Sequence, residues 1–146
     1  MPLPSQTATV PVALEPATDA SVIRVAVVDS HLVFRAALHS FLAADPDLDL
    51  VAEAPDAAHV LPLLAAVRAD ILILDLASIQ GDSLATLNLL FSRIPARRII
   101  LMHTDHPVPF FGQALQLNLC ALIDKQVVPD RLVPLIRRVC LARQHS

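Results

Sequence analysis

The sequence has little glycine, few aromatic residues and no excess of basic charge, and each shortage excludes a class of function. Its 146 residues include only two glycines, Gly81 and Gly112, so neither a glycine-rich phosphate loop nor a dinucleotide-binding fingerprint can be built. Tryptophan and tyrosine are absent, which removes the usual stacking platforms for single-stranded nucleic acid. The net charge of −3 argues against nonspecific DNA binding through a basic surface.

Cysteines and long apolar runs are scarce as well. Cys120 and Cys140 form no CxxC pair and have no nearby histidine in metal-binding spacing, so we expect two buried thiols in a reducing compartment. Charged or polar residues interrupt every apolar run before it is long enough to cross a bilayer. The first twenty residues lack both the basic residues and the apolar segment of a secretory signal. These features predict a cytoplasmic protein with no membrane segment.

Strand and helix patterns alternate along most of the chain. Residues 1–20 are rich in proline, threonine and alanine and are predicted to be a flexible tail, while residues 21–146 are predicted to form one domain. Pro62 is expected to kink or restart its helix, and Pro134 is expected to kink the last one. Strands are predicted over 22–28, 48–53, 71–75, 99–102 and 120–124, and helices over 31–44, 56–68, 82–94, 110–117 and from 129 onward. The pattern predicts an α/β fold, a (βα)5 doubly wound parallel five-stranded sheet of flavodoxin-like order.

Three of the predicted strands run directly into a charged residue. Asp29 follows the first strand, Asp75 ends the third, and Lys125 follows the fifth. The carboxyl ends of parallel strands lie at one edge of the sheet, so these side chains are expected to meet there although they are far apart in sequence. Two carboxylates and an ammonium at one edge suggest a site for a divalent cation and a phosphoryl group.

Several segments resemble a known family. The segment from Ile23 to His31 resembles the first strand and acidic turn of response-regulator receiver domains, and Phe34, Arg35 and Leu38 match the first helix. The segment 70–76 resembles the family's phosphoacceptor strand. Lys125, followed by Pro129 and Leu132, resembles the family's lysine and last helix. Over residues 22–143 the sequence is therefore similar to a receiver domain, nearest to the NarL/LuxR-type class.

The resemblance implies a mechanism in a bacterial two-component pathway. Asp75 would accept a phosphoryl group from a histidine kinase or a phosphotransfer protein, forming an aspartyl phosphate. Asp29 and Asp75, together with the backbone carbonyl of Ala77, would hold Mg²⁺. Lys125 would pair with the phosphate as a point charge. The chain would then be a signalling module and not an enzyme, since no substrate-binding cap, glycine-rich loop or second base accompanies Asp75.

The sequence also departs from the family pattern. Ser30 stands where the family has a second acidic residue, and a neutral hydroxyl is a weaker Mg²⁺ ligand than a carboxylate, so Mg²⁺ affinity is expected to fall. The family's switch hydroxyl aligns with His103, with Thr104 one residue late, and its aromatic switch position is Leu122. These changes leave open a second interpretation, a degenerate receiver that acts as an interaction or dimerisation module without phosphorylation.

Two further expectations concern binding. We expect the readout to be a protein interface formed by the helix over 110–117, the fifth strand and the last helix, which would pair two copies or dock a partner. No helix-turn-helix follows the last predicted helix in this sequence, so no direct DNA binding is expected from it. A transition-metal site formed by His31, His103 and His106 with Asp29 is disfavoured, because surface positions explain these histidines. The candidate interface residues are Phe110, Phe111, Gln113, Arg131 and Arg138.

Overall fold

The computed structural model describes residues 22–79, 83–94, 98–104 and 121–145. Two short 3₁₀ turns, Leu76–Ile79 and Lys125–Val127, follow strands directly. The strands of the described part are Ile23–Val28 (β1), Leu48–Ala54 (β2), Ile71–Asp75 (β3), Ile99–His103 (β4) and Ala121–Asp124 (β5). The helices of the described part are Leu32–Ala43 (α1), Ala57–Ala66 (α2), Ser83–Arg93 (α3) and Val128–His145 (α4).

The strands form one parallel sheet in the order β2-β1-β3-β4-β5. This order confirms the predicted doubly wound, flavodoxin-like fold. The chain moves outward from β1 to β2 and then returns to the other side of β1 to form β3, which opens a crevice at the carboxyl ends of β1 and β3. Val28 of β1 pairs with Leu74 of β3, so the residues that follow them, Asp29 and Asp75, lie side by side at that crevice.

The sheet separates two apolar cores, one on each face. Alternate residues of each strand face opposite sides, so Leu72 and Leu74 belong to one core, and Ile71 and Ile73 belong to the other. These four residues belong to β3, and their side chains are fully buried. Burying an aliphatic side chain of this size stabilises the fold by roughly 1.5–3 kcal/mol, so β3 is a rigid support for Asp75 at its end. The helices cover both faces: Val60 and Leu90 of α2 and α3 lie in the first core, and Leu38, Leu42, Leu132 and Ile136 of α1 and α4 lie in the second.

The helix boundaries mostly follow local sequence signals. Asp56 caps α2, because its side chain accepts a hydrogen bond from the backbone N–H of His59 at 2.9 Å. The helix α2 does not restart at Pro62, and α4 continues past Pro134; a kink at either proline stays a prediction. Packing of the buried faces of these helices compensates for the backbone hydrogen bond that each proline removes.

Some predictions fall outside the described residues. These are the tail over 1–20, the helix over 110–117 and the strand position of Cys120. No helix in the described part of the chain combines the length and apolar character that crossing a bilayer requires.

An ion-pair cluster joins α4 to the loop between α1 and β2. Arg137 donates hydrogen bonds to the carboxylates of Asp45 and Asp47, the latter at 2.9 Å. The backbone N–H of Asp47 holds the pKa of Asp45 below its ordinary value, and Arg137 reinforces this lowering against the opposing effect of burial. The two carboxylates in turn raise the pKa of Arg137.

Replacing Asp45 by Asn should therefore lower the stability of the fold in a pH-dependent way. A carboxyl whose pKa is depressed in the folded state stabilises the fold above its unfolded pKa, near 3.8, and this contribution is lost as the pH falls through the lower folded value. Urea unfolding should show a small decrease in midpoint for Asp45→Asn at neutral pH that disappears well below pH 3.8.

The matched control is Asp49→Asn, which removes an exposed carboxylate whose contact with Arg24 is long, at 3.8 Å. A difference in urea midpoint between wild type and Asp45→Asn that persists unchanged at low pH would contradict a lowered pKa for Asp45.

Candidate functional site

Three charged side chains meet at the carboxyl edge of the sheet. The ammonium Nζ of Lys125 lies 2.8 Å from Asp29 Oδ2 and 3.1 Å from Asp75 Oδ1. Both carboxylates are buried, and the Lys125 side chain is only 10% exposed. The ring of Phe34 on α1 covers the ammonium, with its centroid 4.4 Å from Nζ. The structure thus brings together the three residues that the strand ends predict.

The local backbone explains how each side chain reaches the site. Asp29 and Asp75 stand at the ends of neighbouring strands that are held in register by the β1–β3 pairing. Lys125 begins the 3₁₀ turn after β5, and Asp124 starts that turn by accepting a hydrogen bond from the N–H of Gln126 at 2.8 Å. Asp124 is therefore a turn-capping residue, and it leaves Lys125 to turn toward the carboxylates.

Asp29 is held firmly by its own backbone and by its neighbours. Its N–H donates to the carbonyl of Ala54 at 3.0 Å, and its carbonyl accepts from Arg35 at 2.7 Å. The backbone N–H of His31 donates to Asp29 Oδ1 at 2.8 Å. The other oxygen, Oδ2, receives no hydrogen bond of normal geometry among the described residues, although the Lys125 ammonium lies beside it. A buried carboxylate oxygen in this position attracts a cation.

Ser78 belongs to the site but is absent from the sequence-based candidates. Its hydroxyl donates a hydrogen bond to Asp75 Oδ2 at 3.0 Å and accepts one from the backbone N–H of Ser30 at 2.8 Å. Ser78 therefore connects the acidic turn after β1 with the carboxylate at the end of β3. The usable signal is the spacing, because a 3₁₀ turn that begins directly after Asp75 brings the residue three positions later, Ser78, back to the same side.

His31 lies at the exposed edge of the crevice, so its surface position agrees with the expectation although its ring also comes close to the carboxylates. Its Nδ1 atom is 3.3 Å from Asp29 Oδ1, 3.9 Å from Asp75 Oδ2 and 3.5 Å from Lys125 Nζ. The ring is 61% exposed, so only one edge of it faces the carboxylates. His103 contacts the carbonyl of Thr104 through Nδ1 at 3.1 Å. His106 lies outside the described residues.

The remaining candidate positions lie around the same edge. Ser30 and Ala77 are exposed, in the turn after β1 and in the 3₁₀ turn after β3. His103 is the half-buried last residue of β4, Thr104 follows it and is exposed, and Leu122 is half-buried in β5 opposite Leu101. The roles predicted for these positions remain predictions.

The predicted interface is only partly described. Arg131 and Arg138 are exposed on α4 and border a groove against β5, beside Leu122 and Leu135. Phe110, Phe111 and Gln113 lie outside the described residues.

The charge balance of the crevice predicts opposite effects for two substitutions. Lys125→Met should destabilise the fold by about 3 kcal/mol, because it leaves two buried carboxylates facing each other without a cation. Asp75→Asn should cost little or raise stability, because it removes the uncompensated negative charge and keeps an acceptor for Ser78. Urea unfolding of the wild type, both single variants and the double variant forms a double-mutant cycle, which measures the coupling free energy between Lys125 and Asp75.

In that cycle Lys125→Met should cost less than half as much when Asp75 is already Asn. An equal cost in both backgrounds would show that Lys125 stabilises the fold through packing on Phe34 and not through its charge.

Comparison with known proteins gives an independent view of the chain. Residues 25–137 match the family described as the response regulator receiver domain. The DNA-binding transcriptional activator DevR/DosR of Mycobacterium tuberculosis is 35% identical over 80 residues, which cover 55% of this chain and 37% of that protein. The uncharacterized transcriptional regulatory protein YhcZ of Bacillus subtilis is 25% identical over 115 residues, covering 76% of this chain and 52% of that protein. The chain thus spans about half or less of the length of these relatives.

Solved structures show the same fold. A LuxR-family two-component response regulator from Aurantimonas sp. SI85-9A1 has a TM-score of 0.72 at 23% identity, covering 84% of this chain and 87% of that one. The isolated receiver domain of RcsB from Salmonella enterica serovar Typhimurium has a TM-score of 0.64 at 19% identity, covering 81% of this chain and 98% of that one. With the family match over residues 25–137, these findings establish that the chain belongs to the response regulator receiver domain family.

Proposed function

We propose that this chain accepts a phosphoryl group on Asp75 from a histidine kinase or phosphotransfer protein and passes the signal on through a protein interface. The observation that carries the proposal is the meeting of Asp29, Asp75 and Lys125 at one buried edge, with the ammonium 2.8 and 3.1 Å from the two carboxylates. In this proposal residues 21–146 form the receiver-like domain, preceded by a tail over 1–20. The proposed role of the chain is that of a cytoplasmic signalling module, not an enzyme.

The chemistry assigned to Asp75 is nucleophilic. One of its oxygens forms a bond to the phosphorus of the donor, while the bond between phosphorus and the donor nitrogen breaks and its electron pair leaves with the donor imidazole. Asp75 suits this role because it is held by a buried strand and by Ser78, so little ordering is required when the donor docks. Lys125 then pairs with the oxygens of the transferred group as a point charge.

The donor set of the crevice fits Mg²⁺. Two buried carboxylates face a single ammonium, which leaves one negative charge uncompensated, and Asp29 Oδ2 receives no hydrogen bond of normal geometry among the described residues. Asp29, Asp75 and the backbone carbonyl of Ala77 would hold the ion, which when bound neutralises phosphate oxygens during transfer. Ser30 contributes at most a neutral hydroxyl to this set, so the affinity should be lower than with a second acid.

The proposed readout is a surface beside β5 and α4. His103 and Thr104 stand at the end of β4, and Leu122 stands in the adjacent strand, where a two-state element would sense the phosphoryl group. Arg131 and Arg138 would belong to the surface that pairs with a second copy or a partner. Phe110, Phe111 and Gln113 complete the proposed interface.

A second candidate function rests on the same positions. Ser30, His103 and Leu122 replace a metal-binding acid, a switch hydroxyl and a switch aromatic residue, a combination that favours a degenerate receiver acting as a constitutive interaction or dimerisation module. The two functions differ in whether Asp75 is modified.

Intact mass distinguishes them. After incubation with a small acyl phosphate and Mg²⁺, the wild-type chain should gain one phosphoryl group, whereas Asp75→Asn should gain none. Asp49→Asn is the matched control, because it removes an exposed carboxylate outside the crevice and should still gain the adduct. An unmodified wild type, under conditions that modify an ordinary receiver, would favour the degenerate module.

Association should respond to occupancy of the site. With beryllofluoride and Mg²⁺ as a phosphoryl analogue, light scattering should show tighter self-association of the wild type than of Asp75→Asn. Arg138→Ala should weaken that association by at least about fivefold, or ~1 kcal/mol, while Arg93→Ala, an exposed change at the end of α3, should not. If the analogue changes neither the oligomer mass seen by light scattering nor the affinity for any partner, the proposed readout is wrong.

A further inference from the structure

The two carboxylates of the crevice divide their oxygens between two neighbours. Asp29 Oδ2 and Asp75 Oδ1 face the Lys125 ammonium, at 2.8 and 3.1 Å. The other oxygen of each, Asp29 Oδ1 and Asp75 Oδ2, lies on the side of His31 Nδ1, at 3.3 and 3.9 Å. These three atoms form an outer cluster at the mouth of the crevice; the Lys125 ammonium, which holds the inner pair of oxygens, also lies 3.5 Å from His31 Nδ1.

One spacing in the outer cluster, between His31 and Asp29, matches that of metal ligands. Two ligand atoms that each lie about 2.0–2.1 Å from a tetrahedral metal are separated by roughly 3.4 Å. The His31–Asp29 separation of 3.3 Å is close to this value, and the His31–Asp75 separation of 3.9 Å requires only a small rotation of an exposed ring. Ligand atoms of all three residues lie within 4.8 Å of one another.

The surroundings of the cluster favour ligation. Ser78 donates to Asp75 Oδ2, and the backbone N–H of His31 donates to Asp29 Oδ1, so both outer oxygens are oriented by neighbours that leave a lone pair available. The exposed face of the His31 ring leaves room for water molecules to complete the coordination.

The donor types decide which cation is favoured. Mg²⁺ prefers oxygen ligands and gains little from an imidazole, whereas Zn²⁺, Co²⁺ and Mn²⁺ accept nitrogen readily. Ser30 supplies no charge to a magnesium site here, while His31 supplies a nitrogen at the same turn. The imidazole therefore shifts the preference of the crevice away from magnesium.

We infer that Asp29, His31 and Asp75 bind a first-row divalent transition metal, with His31 as a direct nitrogen ligand, and that this crevice binds such a metal more tightly than Mg²⁺. The inference rests on the proposed function only in that both use the carboxylates of Asp29 and Asp75. The nearby Lys125 ammonium repels any second cation, so the affinity is moderate and the metal exchanges.

Cobalt titration of the tag-free protein tests the inference. Co²⁺ alone should produce a visible d–d absorption band that saturates with one ion per chain, and Mg²⁺ should compete for it only at an at least about tenfold higher concentration. His31→Ala should weaken Co²⁺ binding by about tenfold or more and change the band, while Mg²⁺ binding stays within about twofold of wild type.

The matched control is His59→Ala. His59 also contacts a carboxylate through Nδ1, at 2.6 Å from Asp56, but this pair lies outside the crevice, so its loss should leave Co²⁺ binding unchanged. Because His31 is largely exposed, His31→Ala should remain folded, which urea unfolding checks. A second readout is independent of affinity: wild-type protein with Co²⁺ should show a strongly shifted exchangeable imidazole N–H proton signal that His31→Ala lacks.

Equal Co²⁺ affinity and an unchanged band in His31→Ala would overturn the inference, as would failure of the wild type to bind Co²⁺. Neither result bears on the proposed function, because phosphoryl transfer to Asp75 is measured with Mg²⁺. Conversely, Co²⁺ bound through His31 in a chain that gains no phosphoryl group would support the metal site and contradict the proposed function.

Discussion

The fold brings two carboxylates into one buried crevice, and a single lysine makes this arrangement stable. Without the ammonium of Lys125, Asp29 and Asp75 would face each other at the ends of adjacent strands with little water to screen them. The register of β1 and β3 leaves no freedom to separate them, since their strands are buried on both faces. Stability and chemistry are therefore linked here: the negative charge that must be balanced for folding is also the charge that would attract a divalent cation, and that cation together with Lys125 would in turn attract a phosphoryl group.

Backbone-level features of this chain were predictable because the signals are local and strong. The four residues from Ile71 to Leu74 are all apolar, and the charged Asp75 follows them. Both the strand and the position of Asp75 at its end follow from this pattern. The same reasoning placed Asp29 and Lys125 at the same edge as Asp75. Parallel strands with right-handed crossovers leave few possible orders, which is why the sheet order was predictable as well.

Side-chain details of the crevice were less predictable, for physical reasons. Ser78 and His31 act through distances set by two tight turns, and a sequence pattern does not show which way a turn directs a side chain. Pro62 does not end its helix, because burial of the helix face outweighs the loss of one hydrogen bond. The departures at Ser30, His103 and Leu122 are visible in the sequence, but their effect on switching depends on an equilibrium between states, which a pattern of residues does not contain.

The central claim is that Asp75 is the residue that receives a phosphoryl group, and locating the modification tests it most directly. After treatment with a small acyl phosphate and Mg²⁺, borohydride reduction converts an aspartyl phosphate to homoserine, and peptide mass spectrometry then identifies the modified position. The account predicts homoserine at position 75 and at no other aspartate. Homoserine at another aspartate, or a phosphoryl group that resists reduction and maps to His31, would contradict it.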